Sequence, residues 1–234
     1  TDVTLIGNDP SYLPTTRWGI LESDAVTAVS ASLRDATVDQ LCLAGKAIEV
    51  VPNFIDPERY EQARHHPGAR RWAREGEKLL VHISNFRPVK RVLDVVKVFA
   101  QVAARLPARL LLVGDGPERA RIEQHCREHG DCDRVVFLGN FPVIEEVLVG
   151  ADLFLLPSET ESFGLSALEA LSCAVPVVAS RAGGLPEVVV DGEDGFLRPV
   201  GDVDGMAAAA LSLLTDPERH RRFAAHGRQW ATTR

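Results

Sequence analysis

A chain of 234 residues with 45% hydrophobic composition can bury one full core and the pieces of a second. Its formal charge of -7 excludes a general nucleic-acid binder, because neutralising a phosphate backbone needs a net basic surface; any anion site must be local. No apolar run reaches the roughly 20 residues that span a bilayer, and Cys42, Cys126, Cys132 and Cys173 lack C-x-x-C spacing, which argues against a zinc centre or a disulfide framework.

The chain opens on Thr1, and "TDVTLIGNDPSY" reads as the middle of a longer sequence, with no basic region and apolar stretch of a leader. A reducing cytoplasm is the expected setting. "DAVTAVS", a helical stretch from Ala31 to Ala44 and "AIEVVPNFID" form a first βα unit. Residues 52–78 are polar and show no strand pattern. They are read as a connection between the remnant of an N-terminal domain, residues 1–51, and a second domain, residues 79–234. His65 and His66 in that connection have no third ligand near them and read as solvated.

From Leu79 onward short apolar runs alternate with amphipathic stretches: "LLVHIS" then Val89 to Ala104, "RLLLV" then Pro117 to His129, "VVFL" then Val143 to Gly150, "DLFLL" then Gly164 to Ser172, and "PVVAS" before a glycine turn. Such runs, bounded by Gly and Pro and each followed by a helical period, predict a doubly wound α/β domain with a parallel sheet. Asp216-Pro217 is an N-cap with proline at the first helical position, ahead of a closing helix from Glu218 to Gln229.

In an open α/β sheet, ligands bind beyond the carboxyl ends of the strands. After "LLVHIS" come Asn85, Arg87, Lys90 and Arg91, a local cation cluster that is either a phosphate site or a solvated helix start. Gly164 permits close backbone approach at a helix N-terminus whose N–H groups favour an anion. Glu161 precedes that helix and Glu169 lies five residues inside it, about 7 Å along the axis. Each glutamate alone also has a plainer reading, Glu161 as a charge that favours the helix N-terminus and Glu169 as an exposed helix residue. Together, with phosphate donors between them, they suit a nucleoside-diphosphate sugar. A pair of glycosidase carboxylates is the competing reading, disfavoured by the parallel sheet and the cationic loop.

The spacing of Glu161 and Glu169 resembles the E-x7-E signature of the family 4 retaining glycosyltransferases, and "VVPNFID", "LLVGDGPER", "VVFLGN" and "AGGLPEVVVDGEDGFL" are similar to that family's motifs in the same order. The resemblance implies the C-terminal, donor-binding Rossmann-like domain of a GT-B enzyme, metal-independent and without a cofactor beyond the UDP-sugar substrate. "TDVTLIGNDPSY" and "HISNFRPVKRVLDVV" are most similar to the branch that joins N-acetylglucosamine from its UDP donor to L-malate in bacillithiol synthesis. By the same resemblance, Glu169 would hold the ribose hydroxyls. Glu161 and the backbone of Phe163, Gly164 and Leu165 would face the sugar and phosphate, Arg87 and Lys90 the diphosphate, and the backbone near Asn140 the uracil. Thr1 and Arg17 are candidate contacts for a small hydroxy-acid acceptor. Asn85 replaces an arginine common in the family, and Ala174 a glycine. A UDP-sugar epimerase of the same architecture and a non-catalytic nucleotide-sugar-binding module are the alternatives, and a homo-oligomer is left open.

Overall fold

The computed structural model describes residues 9–64 and 70–233, except for the side chains of 62–64. Thr1, His65 and His66 lie outside the described residues. In chain order come α1 (Leu13–Glu22), β1 (Thr27–Ala28), α2 (Ala31–Gln40), β2 (Glu49–Val50) and α3 (Pro57–Arg64). Then follow β3 (Lys78–Ile83), a 3-10 turn (Pro88–Lys90), α4 (Val92–Ala103), β4 (Ala108–Val113), α5 (Arg119–His129), β5 (Val135–Gly139) and α6 (Ile144–Leu148). The chain closes with β6 (Leu153–Leu156), α7 (Leu165–Ser172), β7 (Val177–Ser180), α8 (Leu185–Val188), β8 (Gly195–Arg198), α9 (Val203–Leu214) and α10 (Pro217–Thr233).

The six strands from β3 onward form one parallel sheet in the order β5-β4-β3-β6-β7-β8, the doubly wound arrangement that the alternating pattern predicts. Its strands read as continuous apolar runs because both faces are covered. Leu80, Leu110, Leu112 and Leu155 pack with Val95, Val96 and Phe99 of α4 and with α9 on one face. The neighbouring residues Leu79, Val81, Leu111, Phe154 and Leu156 pack with α6, α7 and α8 on the other. Helix α4 meets its face through Val92, Val95, Val96, Phe99 and Val102, the i, i+3, i+4, i+7 stripe of a buried amphipathic helix.

Two local expectations need correction. Helix α2 stops at Gln40 rather than Ala44, since the backbone turns left-handed at Cys42 (φ 51) and thereby buries both Leu41 and Leu43. The stretch from Val89 is a 3-10 turn broken at Arg91 (φ 49) before α4 begins at Val92. Within residues 52–78 lies α3, anchored on the main sheet's helices: Arg59 donates to both oxygens of Glu145 on α6 at 2.6 and 3.0 Å. Closing helix α10 starts at Pro217 as expected, with Asp216 Oδ1 accepting from the N–H groups of Glu218 and Arg219 at 3.1 and 3.0 Å.

The small β1–β2 sheet with α2 is fastened to the same body. Ser30 caps α2 and donates its hydroxyl to the carbonyl of Ser162 at 2.6 Å, while the Glu187 carboxylate accepts from the N–H groups of Ala31 and Ser32, both at 2.9 Å. Among the described residues no helix is long and apolar enough to cross a membrane.

Candidate active site

Strand order reverses between β3 and β6, so the crevice expected to take a ligand is walled by residues 84–91 on one side and 157–164 on the other. Across it Lys90 Nζ meets Glu161 Oε1 at 2.6 Å, with the two side chains only 21% and 11% exposed. Ser158 donates its hydroxyl to the same carboxylate oxygen at 2.8 Å. The loops are also joined through their backbones, Glu159 N–H donating to the Val89 carbonyl at 2.8 Å.

Glycines set how closely these loops are held. Gly114, after β4, has φ +116 and no room for a side chain, as an added Cβ would fall 1.8 Å from the Ser84 carbonyl oxygen. Gly183, after β7, has φ +52, and a Cβ there would sit 1.9 Å from the carbonyl oxygen of Glu161. That same oxygen accepts the N–H of Gly184 at 2.9 Å. Each wall of the crevice is thus pressed by the glycine turn of the next strand outward.

His82 anchors the first wall from beneath. It is fully buried on β3, its Nδ1 2.8 Å from the Leu155 carbonyl and its Nε2 2.8 Å from Ser84 Oγ. A carbonyl only accepts, so Nδ1 carries the proton and Nε2 accepts from the serine, whose oxygen takes the N–H of Phe86 at 3.3 Å. Burial pushes the imidazole pKa down to about 4 against the opposing Leu155 hydrogen bond, and the nearby Lys90 charge adds to the depression. Because this value lies below the roughly 6.5 of an unfolded histidine, the unfolded chain takes up a proton first as pH falls. The His82 contribution is therefore complete above about pH 6.5 and lost towards pH 4, on the order of 3 kcal/mol across the window. Urea unfolding at several pH values should show that slope reduced in His82→Gln; equal pH dependence in the two proteins would remove the assignment.

On the second wall Gly164, at φ 102, is the N-cap of α7, and its Cβ position would clash with Leu185 Cδ2 at 2.6 Å. Phe163 is buried beside it and Leu165, the first helical residue, is exposed. The N–H groups of Gly164 and Leu165 belong to the N-terminus of α7, where no intrahelical acceptor exists. Glu169 lies further along α7, half-buried, and accepts the Tyr60 hydroxyl of α3 at 3.1 Å. Burial raises the Glu169 pKa, while the Tyr60 hydrogen bond and the Arg59 charge oppose that rise.

Of the expected residues, the fold brings Arg87, Lys90, Glu161, Phe163, Gly164, Leu165 and Glu169 onto the loops and helix that wall this crevice. Asn85 is exposed in the first loop and Asn140 is exposed just after β5, two strands away. Arg91 leaves the cation cluster: its guanidinium is taken by Asp94, buried in the first turn of α4, at 2.6 Å. Arg17, on α1, lines a separate groove with Leu13, Trp18, Leu21 and Leu41. His82, Ser158 and Tyr60 were not marked by any local pattern; each makes its contact with a residue placed by the fold.

The arrangement combines a shielded ammonium–carboxylate pair, a helix N-terminus and a second carboxylate deeper in the same helix. Such a set suits a ligand with a central anionic group and hydroxyls at either end. Comparison with known proteins agrees. Residues 69–230 match the family model described as "Glycosyl transferases group 1". The chain is 47% identical, over 98% of its length and 60% of the relative's, to N-acetyl-alpha-D-glucosaminyl L-malate synthase of Bacillus anthracis. It is 32% identical to the glycogen synthase of Mycobacterium tuberculosis strain H37Rv, over 92% of its own length and 51% of that protein's. Among solved structures, sucrose-phosphate synthase from Thermosynechococcus elongatus superposes with a TM-score of 0.84 at 28% identity, covering 96% of this chain and 57% of that one. Anabaena HepE in complex with UDP and glucose gives 0.80 at 25% identity, covering 97% and 65%. The chain thus spans 51–60% of the length of these two curated relatives. With the doubly wound sheet, the crevice at its switch point and the family match over most of its length, this chain belongs to the group 1 glycosyl transferases.

Proposed function

We propose that the chain is the donor-binding part of a retaining glycosyltransferase that moves N-acetylglucosamine from its UDP donor to a hydroxyl of L-malate. The observation that carries the reading is the Lys90–Glu161 pair at the switch point, with Glu169 two turns further on, in a chain 47% identical to a protein named for that reaction. In this reading residues 79–234 hold the donor, 52–78 connect, and 1–51 belong to the acceptor side, in a cytoplasmic enzyme. The sugar's bond to the β-phosphate breaks as the acceptor oxygen attacks from the same face, and the acceptor's proton passes to the departing phosphate. Lys90, Arg87 and the α7 N-terminus offset the charge that grows on that phosphate, and Glu161 faces the sugar. Glu169 accepts from the ribose diol.

Titration calorimetry and thermal unfolding with UDP test the donor site. UDP at about a hundred times its dissociation constant should stabilise the fold by roughly 2.7 kcal/mol. Glu169→Ala should remove on the order of 1.5–3 kcal/mol of that affinity, the worth of a hydrogen bond to a charged group. Absence of any UDP effect on a folded sample would overturn the site.

A further inference from the structure

Helix α3 reaches the site through two successive residues. Arg59 forks onto Glu145 of α6, and Tyr60, only 4% exposed, donates its hydroxyl to Glu169 Oε1. The contact joins residues 109 positions apart, and it is made by a segment whose composition marks it as a polar connection. Burial and the adjoining Glu169 charge raise the phenol's pKa, so the hydroxyl keeps its proton and donates it to the Glu169 carboxylate oxygen. One donated bond uses one of about four acceptor sites on a carboxylate. The group is therefore oriented without being saturated.

We propose that Tyr60 is a positioning residue of the donor pocket: its hydroxyl fixes the carboxylate of Glu169 in the orientation that receives the ribose diol of a UDP-sugar. The inference rests on the reading of Glu169 as the diol-binding carboxylate. Among the described residues, the groups facing Glu169 are Tyr60 and Arg59 from α3 and Glu145 from α6; Cys173, which caps the end of α7, faces the Tyr60 phenol. Arg59 is committed to Glu145 in a two-point contact, so among the described residues it is Tyr60 that donates directly to Glu169. Burial alone favours the neutral acid, and a protonated carboxyl would offer the diol a weaker acceptor.

The test measures the affinity of the chain for UDP-N-acetylglucosamine as a function of pH from about 5 to 8. The doubly esterified diphosphate of this probe does not titrate there, so the acid limb reports the protein. Tyr60→Phe keeps the buried ring and should weaken binding about fivefold at the alkaline end. It should also move the midpoint of the acid limb to higher pH, because the bond that favours the ionised carboxylate is gone. Glu169→Gln should weaken binding and flatten the limb, and adding Tyr60→Phe to it should have no further effect. Uniform weakening by Tyr60→Phe with an unmoved midpoint, or full additivity in the double variant, overturns the positioning role. Wild-type affinity and an unchanged acid limb in Glu169→Gln would instead bring down the donor-site reading and this inference with it.

Discussion

Replacing Lys90 with alanine in the active glycosyltransferase is expected to lower kcat by roughly 10²–10³-fold, with a much smaller change in KM. The cation lies at the switch point in a partly shielded site, 2.6 Å from Glu161, and it is the charge that leaving phosphate would meet. In such a site a fixed charge does more for a transition state that gains negative charge than for the bound donor, whose charge is already present. Glu161→Gln in the same enzyme should also slow turnover, since it removes the carboxylate proposed to face the sugar, yet UDP affinity should hold. Steady-state kinetics with calorimetry separate the two effects. A Lys90→Ala enzyme with unchanged kcat and raised KM would mean that the ammonium only holds the donor in place.

The second large effect is on stability. Gly114→Ala is expected to cost at least about 4 kcal/mol, because the new methyl both occupies a left-handed backbone and drives into the Ser84 carbonyl. Gly76→Ala is the internal control: its φ of +79 is also positive, though nearer the left-handed region a non-glycine residue can adopt, and nothing lies within 4 Å of the added atom. That variant should lose only about 1 kcal/mol. Denaturant midpoints of the two proteins, compared at equal m-values, decide the matter. Similar losses would show that the glycine turn does not press on the Lys90 loop.

Much of the architecture was legible because buried parallel strands announce themselves as unbroken apolar runs, "RLLLV" and "DLFLL" among them. The two glutamates were legible for a different reason, since their spacing along one turn and helix is local. What the sequence hid is how these residues meet. Nothing near Lys90 says that it will contact Glu161, 71 positions on, or that Tyr60 will reach Glu169. Arg91 looked equivalent to Arg87 and Lys90 until the left-handed turn at its own position aimed it back at Asp94. His82 is one polar letter in a strand, and its role rests on a β6 carbonyl that no pattern around it encodes. Helix α3 has little apolar character to mark it and is held by charge and hydroxyl contacts made at long range.

The reversal of strand order has a bearing on how the molecule is assembled. Strands β3, β4 and β5 are laid down outward in succession from one edge of the switch point, and the chain then returns to build β6, β7 and β8 from the other. The first half contributes the ammonium of the central pair and the second half its carboxylate. A nascent or partly folded chain with only the first three strands in place therefore displays a cationic loop with no opposing acid. The completed pair is a long-range contact that must await closure of the intervening loop, an entropic cost that delays it relative to neighbouring-strand contacts. A nucleotide held in the proposed donor site would therefore span both half-sheets and brace a seam whose closing contact is long-range.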